Sequence, residues 1–590
     1  MDGTTLLDSY AAKTCPYALH LDRVEPEGER LAPSESVQLR IEAGNVFELL
    51  VGQQLLGLGA DVAFLPSGRR RDVDPAGWAA DRNDRLDRTL AAMASGAGVI
   101  WNPRLPPDLG ARRSGEPDLL LLASAGGGTT YIPVDVKAHH ALVPLARTRG
   151  GSLRDLVAPG APAIELVCAA DSLHREDLLQ LAHYWRMLES AGRAPSGDPR
   201  GAIIGWSGQV DAPPLVGWFD LSSTMDEYDL AFDNASAVVT RAVAIAAGAE
   251  LPVLGRPWYE SSCHDCGWRA VCGPRLVDAD HVSLVKPPRR LRPEIDALEI
   301  ETIDALAELD PGTPRPDGSV VGENVLWRDA IERARMARAG DPPPFSLLPE
   351  VGGDTHRLPR LWRRADAPTN WRLSRRDVEL DVDMESVPSG AYLWGTLLSY
   401  APGLEAEAGF APGYRGFGGS FAEPGDRTTA TAFFEFFEFV SALRSACERS
   451  GRTFGAYCYA GPAAEEPAMR RSAALLAALG GPDVSDWVED VVGSPDWIDL
   501  LEEIRARVRS LNGLGLKIVA RATGFEWRSG DAGGEASMRW YERATTDPDS
   551  AVRAAFRSKI LAYNEDDVVA TRHLRQWFDA HGSEHLSQVP

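Results

Sequence analysis

Cysteine is scarce in this chain, with 7 in 590 residues, too few for a disulfide framework at this size. Basic charge is also in deficit. Lys and Arg number 61 against 85 Asp and Glu, a formal net charge of −24, which argues against a protein that coats nucleic acid non-specifically. No apolar run approaches the roughly 20 residues of a membrane span. The opening MDGTTLLDSYAAKTCPYALHLDR has neither a basic n-region nor an apolar h-region, so a soluble, cytoplasmic protein with no membrane partner is expected. No G-x-x-x-x-G-K-S/T is present, and with it any phosphate-loop motor is missing. What is present is length and apolar content, 590 residues at 44% hydrophobic, enough for two to four domains. Local basic stretches, Arg69 to Arg71 and Lys286 to Arg292, leave room for a basic groove on an acidic protein.

The most informative stretch is GEPDLLLLASAGGGTTYIPVDVKA, from Gly115. It reads as two apolar strands, Leu119 to Leu122 and Tyr131 to Val136, joined by a turn through Gly126, Gly127 and Gly128. Residues two apart on a strand share a face, so Asp135 and Lys137 project together. With Asp118 at the start of the first strand, two carboxylates and a lysine meet at one end of a hairpin. That set suits phosphodiester hydrolysis, in which carboxylates hold Mg²⁺ through oxygen and a lysine stabilises developing negative charge.

Around the hairpin the pattern alternates between helix and strand. A helix is expected just after Pro16, another over Ser36 to Leu58, and a third from Pro75 to Gly98. Glu48 falls inside the apolar VFELLV, where an unpaired carboxylate is costly; packed beside the hairpin it becomes a third metal ligand. Beyond the hairpin, His139 and His140 read as loop and IELVCAA as a strand with Cys168 buried. The helix REDLLQLAHYWRMLESAG places Gln180 and Tyr184 on one face, and strands follow at Gly201 to Trp206 and in VGWFDL. A mixed α/β core is expected. Three cysteines then fall within ten residues, Cys263, Cys266 and Cys272, in C-x2-C-x5-C spacing. Zinc with Cys15 or His264 as fourth ligand, or an iron–sulfur cluster on Cys15, Cys263, Cys266 and Cys272, both fit that spacing.

Taken together, Glu48, Asp118, Asp135 to Lys137, and Gln180 with Tyr184 resemble the PD-(D/E)xK core of RecB-type nucleases. One cysteine before that core and three after it resemble the iron–sulfur staple of the RecB/AddB nucleases and related CRISPR adaptation nucleases. The resemblance implies a restriction-endonuclease-like fold over residues 1–276. It further implies Mg²⁺ or Mn²⁺ on Glu48, Asp118 and Asp135, with Lys137 orienting the attacking water and Gln180 and Tyr184 supporting the site or contacting DNA. A structural 4Fe–4S cluster is favoured over zinc.

From 277 to 370 the composition changes to a short helical pair, LRPEIDALEIETIDALAEL, and Pro-rich breaks, read as a helical connector and linker. The region 371–590 opens with VELDVDMESVPSGAYLWGTLLSY, strand, turn and strand, in which Asp383 and Glu385 share a face. Near its end RSKILAYNEDDVVATRHLRQWF is helical, with Tyr563 and Asp567 on one face. Two-metal phosphoryl transfer needs carboxylates gathered from distant elements around cations roughly 4 Å apart. This order resembles the DnaQ-like, RNase H-fold exonucleases of the DEDDy type, YNEDDVVAT most closely. The resemblance implies metals on Asp383, Glu385, a central carboxylate and Asp567, with Tyr563 positioning water. Glu466 in AYCYAGPAAEEPAMRR is the expected central ligand; Glu465 and Asp499 are the alternatives. The function implied is a nuclease with two sites, a 3′–5′ exonuclease among them. It would act in repair or defence on single-stranded DNA or DNA ends, with any helicase supplied in trans. A single active site beside a binding or docking platform, and an RNA substrate, are the other readings.

Overall fold

A seven-stranded mixed sheet organises the first of the two units into which the computed structural model divides, Met1–Trp258 with Asp265–Cys272; the second comprises Tyr259–His264 and Gly273–Pro590. The structure describes residues 5–25, 29–58, 61–65, 75–124, 129–140, 151–153, 175–206, 214–347, 358–387, 390–418, 425–528 and 534–590. Arg69 to Arg71, the Gly126 to Gly128 turn and the IELVCAA segment with Cys168 lie outside them. Among the described residues no helix is long and apolar enough to cross a membrane.

In the first unit the strands are β1 (Val62–Phe64), β2 (Val99–Trp101), β3 (Leu119–Ser124), β4 (Thr130–His140), β5 (Gly151–Ser152), β6 (Arg200–Trp206) and β7 (Leu215–Asp220), in the order β1-β2-β3-β4-β6-β7-β5. The helices are α1 (Pro16–Val24), α2 (Glu35–Gly57), α3 (Pro75–Ser95), α4 (Arg175–Ser190), α5 (Ser222–Ala246) and the first four residues of α6 (Arg269–Asp278). Alternation along β4 sends Val134 and Val136 into one core with Phe47, Val51 and Leu55, which recur every four residues on α2 and so form one helical face. Asp135, paired in register with Ile203, belongs to the opposite face, where Ile203 packs against Leu178 and Leu181 of α4. The sheet is thus covered on both sides, as a mixed α/β layer requires. β4 does not end before the histidines: its parallel ladder with β6 resumes at His140 opposite Trp206, and this pairing keeps His139 and His140 in the strand rather than in a loop.

The second unit begins with 3₁₀ turns and the short helices α7 (Arg292–Ala297), α8 (Ile303–Ala307) and α9 (Val325–Arg338). Asn324 caps α9, accepting from the N–H groups of Leu326 and Trp327. A two-residue strand, β8 (Trp362–Arg363), pairs with β14 (Val508–Arg509). The main sheet holds β9 (Val378–Val387), β10 (Gly390–Tyr400), β11 (Gly413–Phe417), β12 (Phe454–Cys458) and β13 (Trp497–Asp499), in the order β11-β10-β9-β12-β13. β9, β10 and β11 are antiparallel, while β12 and β13 run parallel to β9. Its helices are α10 (Asp426–Ser450), α11 (Glu465–Ala478), α12 (Ser485–Val492), α13 (Leu500–Arg505), α14 (Leu516–Ala522), α15 (Gly534–Thr546) and α16 (Ser550–Ala580).

The central strand β9 carries acids at every second position, Glu379, Asp381, Asp383 and Glu385, so all four share one face. That face meets α16, whose Tyr563, Asp567, Thr571 and Arg575 are spaced one turn apart. At the lower end Arg575, fully buried, forms ion pairs with both Glu379 and Asp381. Thr571 Oγ1 donates to Asp381 at 3.1 Å, and the Arg575 guanidinium stacks 3.9 Å from the Tyr457 ring centroid. At the upper end no arginine among the described residues pairs with the acids.

Candidate functional site

Asp383 and Glu385, from the upper end of β9, meet Asp567 from α16. Each brings an oxygen within 4.8 Å of the other two, and among the described residues they are the one trio of His, Cys, Asp or Glu side chains to do so. Burial raises Asp383 well above the usual carboxylate range, and Asp567, Glu385 and Glu465 push it further. Glu385 is pushed up to about 8 by burial, with Asp567 adding to the rise and Ser537, Asn564 and Lys517 opposing it. Asp567 rises to about 6 through burial, against the pull of Trp527 and Lys517. Like charges confined together in a buried site favour a bound cation, and carboxylate oxygen is the donor type that Mg²⁺ and Mn²⁺ prefer.

Neighbouring side chains hold the trio in place. Asn564 Nδ2 donates to Asp383 at 2.8 Å, and Tyr414 O–H donates to Asn564 Oδ1 at 2.9 Å. Trp527 Nε1 donates to Asp567 at 2.6 Å. Lys517 Nζ lies 4.8 Å from the centroid of the buried Tyr563 ring, whose hydroxyl is held well above its ordinary pKa by burial and by Asp567, Glu385 and Asp383. Asn564, Trp527 and Lys517 escape sequence reasoning. Asn564 alone leaves a local signal, as the neighbour of Tyr563 in YNEDD.

Gly395 sits directly opposite Asp383 in the β9–β10 ladder. A Cβ there would lie 1.6 Å from Asn564 Oδ1 and 2.6 Å from its Cγ, an approach no side chain tolerates. Gly395→Ala therefore drives Asn564 off Asp383. The expected result is a loss of about ten- to a hundredfold in metal-dependent turnover, with a destabilisation of roughly 1–3 kcal/mol, read by steady-state kinetics and thermal melting.

The two neighbouring acids at the expected central position are placed differently. Glu466 pairs with Arg470 one turn along α11, at 3.5 Å. It is Glu465, 3% exposed and with an Oε2 that accepts no hydrogen bond, whose charge acts on Asp383. Burial pushes Glu465 up to about 8, and Asp499 and Glu466 reinforce the rise. Consecutive helical residues point about 100° apart, so only one of the pair faces the trio. A left-handed Ala460 (φ 67°) and the 3₁₀ turn Gly461–Ala463 set the phase in which α11 begins. Asp499 is committed elsewhere: it caps α13 by accepting from the Leu501 N–H and also accepts from the Ala460 N–H, both at 2.9 Å.

In the first unit, Asp135 is fully buried and, among the described residues, neither of its oxygens finds a hydrogen-bond donor of good geometry, although Lys137 Nζ stands 3.1 Å from Oδ2. A buried carboxylate without donors is costly unless a cation answers it. Asp118 accepts from the Val136 N–H at 2.6 Å; burial, then Asp135 and Glu48, raise it well above the usual range. Glu48 is raised by burial and by Asp135, which brings it to the same charge cluster. Burial lowers Lys137, but Asp135 and Asp118 outweigh it and the ammonium ends above its ordinary pKa. Gln180 is used at both ends of its amide. Its Oε1 accepts from Lys137 at 3.3 Å and from Lys13 at 2.8 Å, and its Nε2 donates to the Tyr184 hydroxyl at 3.1 Å. Tyr184 in turn donates to the Glu116 carbonyl at 3.2 Å. Lys13 and Glu116 were invisible as site residues in the sequence.

Cys15 stands at the N-cap of α1, and Cys266 and Cys272 border the apolar cluster of Tyr17, Leu21 and Trp268. Burial raises the Cys266 thiol, with the neighbouring Cys15 adding to the rise. Cys263 falls in the second unit, where the Glu260 N–H donates to its sulfur at 3.4 Å. None of these cysteines is in a disulfide.

The RNase_H_2 family model, of the RNase_H superfamily, matches residues 456–579. No curated protein and no solved structure matches the chain. The matched span contains Glu465, Tyr563 and Asp567, and a superfamily domain of this kind points to nuclease-type phosphodiester hydrolysis. The chain is a mixed α/β protein with an RNase H-like domain in its C-terminal region.

Proposed function

We propose that this protein is a divalent-metal-dependent nuclease with two separate sites, a C-terminal DEDDy-type 3′–5′ exonuclease and an N-terminal PD-(D/E)xK-type nuclease, acting on single-stranded DNA or DNA ends. The observation that carries the reading is the trio of half-buried Asp383 with buried Glu385 and Asp567, whose mutual repulsion a bound cation would relieve. Asp383, Glu385, Glu465 and Asp567 would hold Mg²⁺ or Mn²⁺ there, and the ions supply Lewis acidity toward the phosphoryl oxygens and an activated water. Tyr563 keeps its proton across the physiological range, so its hydroxyl can orient water without competing for the metals as a phenolate. Asn564 and Trp527 fix the acceptor directions of Asp383 and Asp567. In the N-terminal unit Glu48, Asp118 and Asp135 form the corresponding set, and the permanently charged Lys137 beside Asp135 orients water and offsets charge developing on the phosphate. The cysteine spacing supports a 4Fe–4S cluster, with zinc as the other metal that fits thiolate ligands.

The test uses protein purified without oxygen, assayed for iron, sulfide and zinc, and incubated with end-labelled single-stranded DNA and Mg²⁺ or Mn²⁺. Lys137→Ala and Asp567→Ala each retain a distinct cleavage pattern, and the double variant is inert. Full activity in Asp567→Ala with none in Lys137→Ala would reduce the C-terminal domain to a binding platform. Preferential cleavage of a matched RNA strand would replace DNA as the substrate.

A further inference from the structure

Beside the N-terminal acids stands a pair of residues that the hydrolytic reading does not use. Lys13 Nζ lies 2.8 Å from Gln180 Oε1, the same oxygen that Lys137 approaches at 3.3 Å. Two ammonium groups therefore converge on one neutral amide. Burial, and then Lys137, lower Lys13 from its ordinary pKa, against the opposing pull of Asp177, Asp135 and Glu176, and no ion pair to Lys13 stands among the described contacts. A few residues back along the same turn, the Tyr10 ring covers Lys13, with the ammonium 4.3 Å from the ring centroid. That ring is 54% exposed, and its hydroxyl feels the charges of Lys137, Asp135 and Asp118. A half-exposed aromatic ring and a lysine thus stand beside the acids.

We infer that Tyr10 and Lys13 form a nucleotide-binding lip, the Tyr10 ring stacking on an unpaired base and the Lys13 ammonium binding the adjoining backbone phosphate. This rests on the reading of the N-terminal unit as a phosphodiester hydrolase and assigns residues that hold its single strand. Bases in a duplex are stacked on their neighbours and have no free face to offer the ring, whereas every unpaired base has one. The lysine complements the ring because each phosphate it neutralises releases counterions from the strand. Gln180 suits the arrangement by being neutral. It fixes the ammonium in place yet leaves its charge for the substrate, which a glutamate at 180 would not.

The experiment uses the full chain carrying Asp567→Asn, so that residual cleavage reports the N-terminal site, with Lys137→Ala as control. Tyr10→Ala is expected to lower kcat/KM on single strands about tenfold through KM, with the salt dependence unchanged and Tyr10→Phe behaving as wild type. Lys13→Gln and Lys13→Met are expected to flatten the slope of log kcat/KM against log salt by about 0.7, with Lys13→Arg restoring it. Loss of packing alone would not change that slope. Lys137-dependent cleavage that is indifferent to Tyr10→Ala and to both neutral Lys13 variants would overturn the lip alone. Absence of any Lys137-dependent cleavage would instead remove the hydrolase reading, and the lip with it.

Discussion

Asp383→Asn yields a metal-free protein that melts a few degrees higher than wild type while its C-terminal cleavage falls by about 10³-fold or more. The two effects share one cause. In the absence of cations Asp383, Glu385 and Asp567 confine like charge in a buried space, and removing one acid relieves the repulsion. The same acid is the one that Asn564 holds in position from above. The pH dependence follows with a definite sign. Carboxyls whose folded pKa lies above the unfolded value bind more protons when folded, so their contribution to stability is complete at low pH and is lost as pH rises through the folded value. With Asp567 at about 6 and Glu385 and Glu465 at about 8, the chelator-treated protein loses stability between the ordinary carboxylate range and pH 8. Mg²⁺ or Mn²⁺ restores most at the upper end of that window. Calorimetry with and without chelator at several pH values measures all of this. A melting temperature in chelator that rises over the window would show that these acids are not held in a repulsive cluster.

Arg575→Met is expected to destabilise the second unit by about 3–5 kcal/mol, because it leaves the buried Asp381 without a cation and Glu379 with Arg375 alone. Glu379 keeps Arg375, whose Nε is 2.7 Å away. Asp381 keeps only the Thr571 hydroxyl among its described donors. In a unit of this size the loss lowers the melting temperature by about 4–7 °C. Arg575→Lys recovers little, since a single ammonium cannot reach Glu379 and Asp381 together as the guanidinium fork does. The double variant Arg575→Met, Asp381→Asn should regain a substantial part of the stability, and a thermodynamic cycle over the two positions isolates their coupling. Additive effects would mean that the pair is not energetically linked.

The difference between the two halves of β9 explains what the sequence could and could not disclose. Alternation places Glu379, Asp381, Asp383 and Glu385 on one face, and the four-residue steps of α16 are equally plain. Which acids are neutralised and which remain available depends on where Arg575 lands, and that is a tertiary fact. The choice between Glu465 and Glu466 turns on helical phase, set by a left-handed Ala460 that no composition rule anticipates. In the first unit the hairpin is legible because its strands are local, whereas Lys13 joins Lys137 from more than a hundred residues away. The cysteine spacing is legible as a metal motif, but spacing carries no information on which ion it holds.

The acid column on β9 also bears on how such a domain can change over generations. Its lower half is closed by the protein's own arginine, and its upper half, on the proposed reading, would be closed only on loan, by ions from solution. A duplicated copy freed from catalysis therefore gains robustness with the first acid it loses at position 383, 385 or 567. A cation substituted at 567 would extend the internal neutralisation by one more step. Inactive descendants that retain the fold are the expected drift products of this architecture, and active copies persist only under continued selection for turnover.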